Sequence, residues 1–234
     1  MLSAILRLLL ITIATSILAI FTLFLVRLIG LQQNFAAPEH KWFALKEWNV
    51  IAPSAENLCK LTVLIEKDEI LEMPVRFREG AWIVDCPDKN VTIPLKDALT
   101  KMKAVNILLQ VNATETQNLD NLVEIVGSFD HTRNFGIASI SQKVTRVLRK
   151  KAPQWLFAAD SASFLRMQLF TSLWIEPAMD FWPDFVIAGR NEDTKISRLS
   201  PRLVSELARR HKPIIWADPS VKPPFDVHGT LTQR

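Results

Sequence analysis

"NLCKLTVLIEKDEIL", residues 57–71, is the segment on which the fold turns. Leu61, Val63 and Ile65 alternate with Lys60 and Thr62, so an extended chain puts the apolar side chains on one face and the polar pair on the other. The pattern predicts a strand over Leu58–Ile65 that turns at Lys67-Asp68-Glu69. A lysine then stands on the polar side of a strand otherwise built for a barrel or sheet core.

Outward from this strand the signals alternate. A helix is predicted at about Glu39–Trp48, and a second apolar run follows at Ala81–Cys86. "IPLKDALTKM" (93–102) reads as a helix leading into the strand "VNILLQV" (105–111). Helical patterns at 118–129, 142–153, 163–175 and 200–211 then alternate with strands at 135–141, 155–160, 184–189, 212–218 and 227–232. Strand, helix, strand repeated in this way means parallel pairing through right-handed crossovers. Without a Rossmann glycine fingerprint, this predicts an α/β fold, a (β/α)8 barrel of TIM type, complete or shortened, rather than an open sheet. Six glycines in the whole chain leave nothing from which to build a phosphate-cradling glycine loop.

The chain has 234 residues, 49% hydrophobic and 22% charged, enough for one domain plus an anchor. Its net charge of +4 permits attraction to anionic lipid or phosphate without pointing to nucleic acid. Cys59 and Cys86 are too few for a disulfide scaffold and lack metal-ligand spacing, so they read as plain core cysteines. The four histidines (His40, His131, His211 and His228) form no HxxxH or HxH pair.

Residues Leu8–Val26 carry no charge and are bracketed by Arg7 and Arg27. As a helix they span roughly 28 Å, about one hydrocarbon core. Thr and Ser within the run can bond their own helix carbonyls. The competing reading, a cleavable signal peptide, has a shorter apolar core and a small-residue cleavage site, which "QNFAAPEH" does not supply. The expectation is a single-pass N-terminal membrane anchor over 1–30, with one domain over 31–234. Arg7 on one side against Arg27, Lys41 and Lys46 on the other leaves the orientation open, as do the sequons at Asn90 and Asn112.

Three other features have plain explanations. The basic clusters Arg146/Arg149/Lys150/Lys151 and Arg209/Arg210/His211/Lys212 fall in the last turns of predicted helices, where cations offset the negative dipole end. No aromatic interleaving accompanies them, so no nucleic acid is expected as a partner. "LFTSLWIEPAMDFW" (169–182) reads as core or as a membrane-dipping segment beside the anchor. Ser128-Phe129-Asp130 reads as a helix terminus.

The ordered set of segments resembles the glycerophosphodiester phosphodiesterase family, metal-dependent TIM barrels. "APEHKWFALKEW" is similar to the family's A-P-E-N-T-L-x-A-F start, and "KLTVLIEKDEIL" to E-L-D-V-x-x-T-K-D-G. "IPLKDALTKMKAVNILLQV" is similar to I-P-T-L-E-E-V-L followed by N-I-E-I-K. "IASISQKVTRVLRKKAPQW", "KPIIWAD" and "VHGTLTQR" resemble the later V-S-S-F-D, V-x-x-W-T-V-N and V-D-G-I-I-T-D-R blocks. The resemblance implies a divalent metal, Ca²⁺ or Mg²⁺, held by three carboxylates, with two histidines moving protons.

The residues that would do this are replaced. Leu31, Gln32 and Gln33 stand where the opening His-Arg-Gly would be, and Lys60-Leu61-Thr62 stand for Glu-x-Asp. Pro74, Val75 and Arg76 stand for the His-Asp, and Leu108-Leu109-Gln110 for Glu-x-Lys. Such a set cannot hold a hard cation. The expectation is therefore a membrane-anchored barrel of this kind without metal or other cofactor and without hydrolase activity. It would bind a phosphate-bearing, lipid-derived headgroup, membrane lipid or another membrane protein. The alternative is an active divergent phosphoric diester hydrolase. Lys60 would either enter the former metal pocket, pairing with Asp218 or a phosphate, or snorkel to solvent from the rim. Thr62, Arg76, Gln110, Ser139, Ser141 and Trp216 would complete the pocket.

Overall fold

The structure, a computed structural model, describes residues 2–36, 38–63, 65–86, 91–113, 115–189, 199–218 and 222–233. Among these, parallel strands carry the domain: β1 (Val50–Ala52), β2 (Ile70–Arg78), β5 (Asn106–Val111), β6 (Asn134–Ala138), β7 (Leu156–Phe157), β8 (Val186–Ala188), β9 (Ile214–Trp216) and β10 (Gly229–Gln233). They hydrogen-bond in the order β7-β6-β5-β2-β1-β10-β9-β8. That is chain order around a circle, provided β7 meets β8. At that seam Ala158 forms a parallel bridge with Phe185, and the Asp184 amide donates to the Phe157 carbonyl at 2.8 Å. The sheet thus curls with the strand order of a TIM-type α/β barrel. Two further strands, β3 (Ala81–Val84) and β4 (Ile93–Pro94), extend β2 as antiparallel hairpin arms.

Period-2 alternation sorts the strand residues between two layers. Val50, Ile70, Leu108, Ala138, Leu156, Phe185, Ile215 and Leu231 point inward. Leu71, Met73, Ile107, Leu109, Phe135 and Ile137 point outward, onto helices α3 (Leu95–Lys101), α4 (Leu119–Gly127) and α5 (Gln142–Lys151). Val186 and Ile214 meet α6 (Ser161–Ser172) and α7 (Pro201–Arg209) in the same way. Between β9 and β10 the described residues hold no helix.

The inward layer is completed from upstream. The predicted helix at Glu39–Trp48 is only a 3₁₀ turn over Lys41–Ala44, and its purpose is to place Trp42. Trp42 and Trp48 are buried among the inward residues, edge to face at 5.3 Å. A Cβ at Gly136 would lie 2.5 Å from the Trp42 ring, and one at Gly229 would lie 1.9 Å from the Trp48 carbonyl oxygen. Both strands therefore need glycine at these points.

The segment 57–71 is not a strand. Residues Ala55–Lys60 form a helix, α2, with the Ser54 Oγ accepting from the Asn57 amide and Leu61 closing it in the left-handed region at φ 53°. Lys60 sits in the last turn, where its charge suits the dipole, and pairs with Glu56 at 2.6 Å. Local helical spacing of this ion pair competes with an alternation of only a few residues, and the helix wins. The second strand is instead Ile70–Arg78, in which an interior proline is tolerated only where it owes no ladder hydrogen bond. Pro74 falls between the ladder to β1, which ends at Leu71, and the ladder to β3, which begins at Val75. Ala81–Cys86 then becomes a hairpin arm and not a barrel stave.

The reading of Cys59 and Cys86 as separate core cysteines is also corrected. They form a disulfide, Cα–Cα 5.6 Å, tying α2 to the end of β3. Nothing in a separation of 27 residues announces such a bond. The sequon residues Asn90 and Thr114 lie outside the described residues.

Residues 2–31 form one helix, α1, and its segment 5–31 is long and apolar enough to cross a membrane. Thr12, Thr15, Ser16 and Thr22 each donate to the carbonyl four residues back. The foot of α1 is clamped to the barrel. A Cβ at Gly30 would lie 2.3 Å from the Pro177 carbonyl carbon. Arg209 donates to the Gly30 and Gln33 carbonyls, and buried Arg210 to that of Pro177. Arg27 pairs with buried Glu176 at 3.3 Å. The second basic cluster thus closes the end of α1 as well as that of α7.

Candidate functional site

In a parallel barrel the loops that follow the strands gather at one end, and ligands bind there. The topology therefore nominates the carboxyl ends of β2, β5, β6 and β9. Arg76, Gln110, Ser139, Ser141, Trp216 and Asp218 lie at or just past these carboxyl ends. Alternation gives Arg76 and Gln110 the inward parity, whereas Trp216 shares the outward parity of Ile214 and packs with the outer cluster. Lys60 and Thr62 do not join them. Both belong to α2 and its closing turn, and Lys60 is exposed beside Glu56.

The β2 register gives the mouth its floor. Ile70 faces inward and Leu71 and Met73 outward, so Glu72 and Pro74 face inward again. Glu72 is 4% exposed and lies in register with Leu108, and Pro74 with Gln110. Glu72 is the inward carboxylate that sequence reasoning missed. A period-2 reading carried through Pro74 would have found it.

Above this floor Arg76 pairs with Asp85 at 3.1 Å. The Asp85 amide donates to the Pro74 carbonyl at 2.7 Å. Asn112 lies beside them, its side-chain amide donating to Asp85 at 3.4 Å. This pair is half-exposed, so it contributes little to stability, yet it orients a guanidinium at the rim. The Ser141 amide donates to the Ser139 Oγ at 3.3 Å, just before α5 begins. Outside the strand layer Trp216 lies 3.1 Å from where a Gly189 Cβ would be, and stands edge to face with Phe225.

All four histidines lie at the other end. His40 precedes β1, His131 precedes β6, His211 precedes β9 and His228 precedes β10. Burial lowers the pKa of His40, with Asp184 opposing and Lys41 assisting. The His40 Nδ1 accepts from the Trp42 amide at 3.2 Å. Burial likewise lowers the pKa of His228, whose Nδ1 accepts from the Ile214 amide at 3.3 Å. Both rings are therefore structural acceptors.

Two other polar groupings also fall outside the mouth. Arg149 and Lys212 converge on Asp184 at the foot of β8. A cleft of about 270 Å³ lined by Lys46, Glu47, Asn49, Glu66, Asp68 and Glu69 opens at the amino ends of β1 and β2. There the Glu69 carboxylate accepts from the Glu66 amide at 2.9 Å, closing a turn. Ser128-Phe129-Asp130 is a helix terminus: Ser128 ends α4, and Asp130 accepts from the Trp155 indole at 2.8 Å.

The divalent metal implied by the sequence resemblance can be tested against these donors. On β2 the inward pair is a carboxylate and a proline, and on β5 it is Leu108 and Gln110. Among the described residues no group of three His, Cys, Asp or Glu side chains converges. The mouth residues do not fit a hard oxygen-ligand cation site, which needs several carboxylates. An arginine on a rim of hydroxyl and amide groups can instead receive an anion.

No protein-family model matches the chain. No curated protein matches it either. Among solved structures, the chain is similar to the glycerophosphodiester phosphodiesterase from Agrobacterium tumefaciens str. C58, with 9% identity and a TM-score of 0.43 over 80% of this chain and 96% of that one.

Proposed function

We propose that this is a membrane-anchored barrel without phosphodiester hydrolase chemistry, which receives a phosphate-bearing, lipid-derived group at its mouth. Arg76 would meet the phosphate with its Nη edge while Asp85 holds Nε. Gln110, Ser139 and Ser141 would supply hydroxyl and amide partners, and Asp218, just past β9, the opposite wall. A partner membrane protein seated on the same rim is the other occupant of this kind.

The observation that carries this reading is the position of the histidines. Cleaving a phosphodiester needs the leaving alkoxide protonated and the phosphoryl charge neutralised. Every imidazole in the chain lies at the amino ends of the strands, a barrel length from the mouth, and the inward carboxylate Glu72 is followed by Pro74 where a second acid would stand.

The Cys59–Cys86 bond adds a compartment. Disulfides persist on oxidising faces of membranes, so the barrel would sit there, with the amino terminus of α1 on the reducing side.

The test is turnover of glycerophosphocholine by the full chain in detergent, with Ca²⁺ or Mg²⁺. We expect no metal-dependent release of glycerol 3-phosphate, together with saturable binding of glycerophosphate that Arg76→Ala abolishes. Metal-dependent release would establish the alternative, an active diester hydrolase.

A further inference from the structure

The apolar stretch 164–182 divides by face. Phe164, Met167, Met179 and Phe181 are buried against β8 and α7. Leu165, Leu169, Leu173 and Trp174 are not: they are 56%, 57%, 43% and 65% exposed. Spaced at i, i+4 and i+8, the three leucines form one continuous stripe along α6. A soluble domain rarely leaves such a row of large apolar side chains uncovered.

What covers it is indicated by where it ends. The Trp174 carbonyl accepts from the Arg27 guanidinium at 2.5 Å, and Arg27 closes the uncharged run of α1. Arg202 stacks over the Trp174 ring at 4.1 Å and pairs with Glu176 at 3.3 Å. The stripe therefore begins where the anchor leaves the hydrocarbon, with a tryptophan and two arginines at that level. Tryptophan belongs at this depth, its ring apolar and its edge wet, and arginine there reaches lipid phosphates.

We propose that α6 is a second membrane contact: its Leu165/Leu169/Leu173/Trp174 stripe lies in the phospholipid interface, with Arg27 and Arg202 at the phosphate level. This rests on α1 being a membrane anchor. An apolar helical face buries itself several ångströms into the headgroup–acyl boundary in this way. α6 begins just after β7, on the mouth side, and ends at the anchor. Laying it along the bilayer brings the mouth down to the headgroups, which gives the lipid-derived ligand a source.

The test uses the full chain in phosphatidylcholine vesicles containing a minority of phosphatidylglycerol. Single cysteines are introduced by Ser16→Cys in α1, Leu165→Cys and Leu169→Cys in the stripe, and Lys101→Cys on the exposed end of α3. Each is labelled with an environment-sensitive fluorophore, since the native cysteines are bonded to each other. We expect blue-shifted emission and severalfold stronger quenching by lipid-borne nitroxide at 16, 165 and 169 than at 101. A buried signal at 16 with aqueous signals at 165 and 169 overturns the proposal and leaves the anchor standing. An aqueous signal at 16 overturns both. A signal at 169 that disappears on diluting the protein in lipid overturns the proposal in favour of a second copy. Trp174→Phe gives an unlabelled check: it should remove part of the tryptophan quenching by brominated lipid, and no change would count against the proposal.

Discussion

Gly30 of the apolar helix lies directly against the Pro177 carbonyl, with no room for a side chain: a Cβ there would stand 2.4 Å from the oxygen. This contact sets the backbone of α1 directly against that of the barrel, beside the Arg27 and Arg209 side-chain bonds. Gly30→Ala should force the two apart, costing about 1–3 kcal/mol as overpacking does. Thermal unfolding in detergent should register the loss, and limited proteolysis should cut more readily after the helix, at residues 32–36.

Cys59 and Cys86 close a loop of moderate length, so opening it should cost about 2–4 kcal/mol. Cys59→Ser/Cys86→Ser should lower the urea midpoint accordingly. The wild-type chain should take up thiol reagent only after reduction, and a free thiol in the native protein would contradict the bond and the compartment proposed from it.

Trp42 fills the barrel beside Gly136. Trp42→Ala should cost about 3–5 kcal/mol as a buried aromatic truncation. Gly136→Ala should also destabilise, because its methyl meets the ring. Combined with Trp42→Leu, that second change should cost less than alone, since neighbours do not add. A double-mutant cycle on chemical denaturation measures the coupling.

Arg76 should separate binding from stability. Its ion pair with Asp85 is half-exposed, so Arg76→Ala should change stability by no more than about 1 kcal/mol. Titration of glycerophosphate by calorimetry should nevertheless lose its heat. Retained binding would remove Arg76 from the site.

His228 and His40 give the fold a pH dependence of definite sign. Burial holds both pKa values below the ordinary 6.5, so the folded rings stay neutral where unfolded ones are protonated. Stability is then full above about pH 6.5 and falls as the pH drops from there through the lowered values, because the unfolded state binds more protons. Urea midpoints measured between pH 7.5 and 5 should decline. His228→Asn should flatten the decline, at the expense of a weaker acceptor for Ile214.

Most staves were legible because β5 to β9 each combine a run of apolar residues with a neighbouring helical pattern. The first two strands were not. β1 is three residues long, too short for any period to show, and β2 carries a proline that ordinarily disqualifies a strand. The alternation at 57–65 filled the gap with a false strand, although Ser54, Glu56 and Lys60 already mark a short helix. The placing of Arg76, Gln110, Ser139, Ser141 and Asp218 at carboxyl ends does not depend on this error, since it rests on which end of a strand they follow, whereas Trp216 turns outward with Ile214. Lys60 and Thr62 did not survive it, and Glu72 was found only once β2 was in register. The disulfide had no signal at all.

Trp48 is held by the far end of the chain: its amide donates to the His228 carbonyl at 2.9 Å, and β1 lines up beside β10. During synthesis the tryptophans emerge well before β10 and must wait for that strand before they have a lumen to occupy. Until then two indoles and an unpaired edge remain open on a half-wound sheet. A stalled or shortened product would therefore stay sticky, an open template for pairing with other chains.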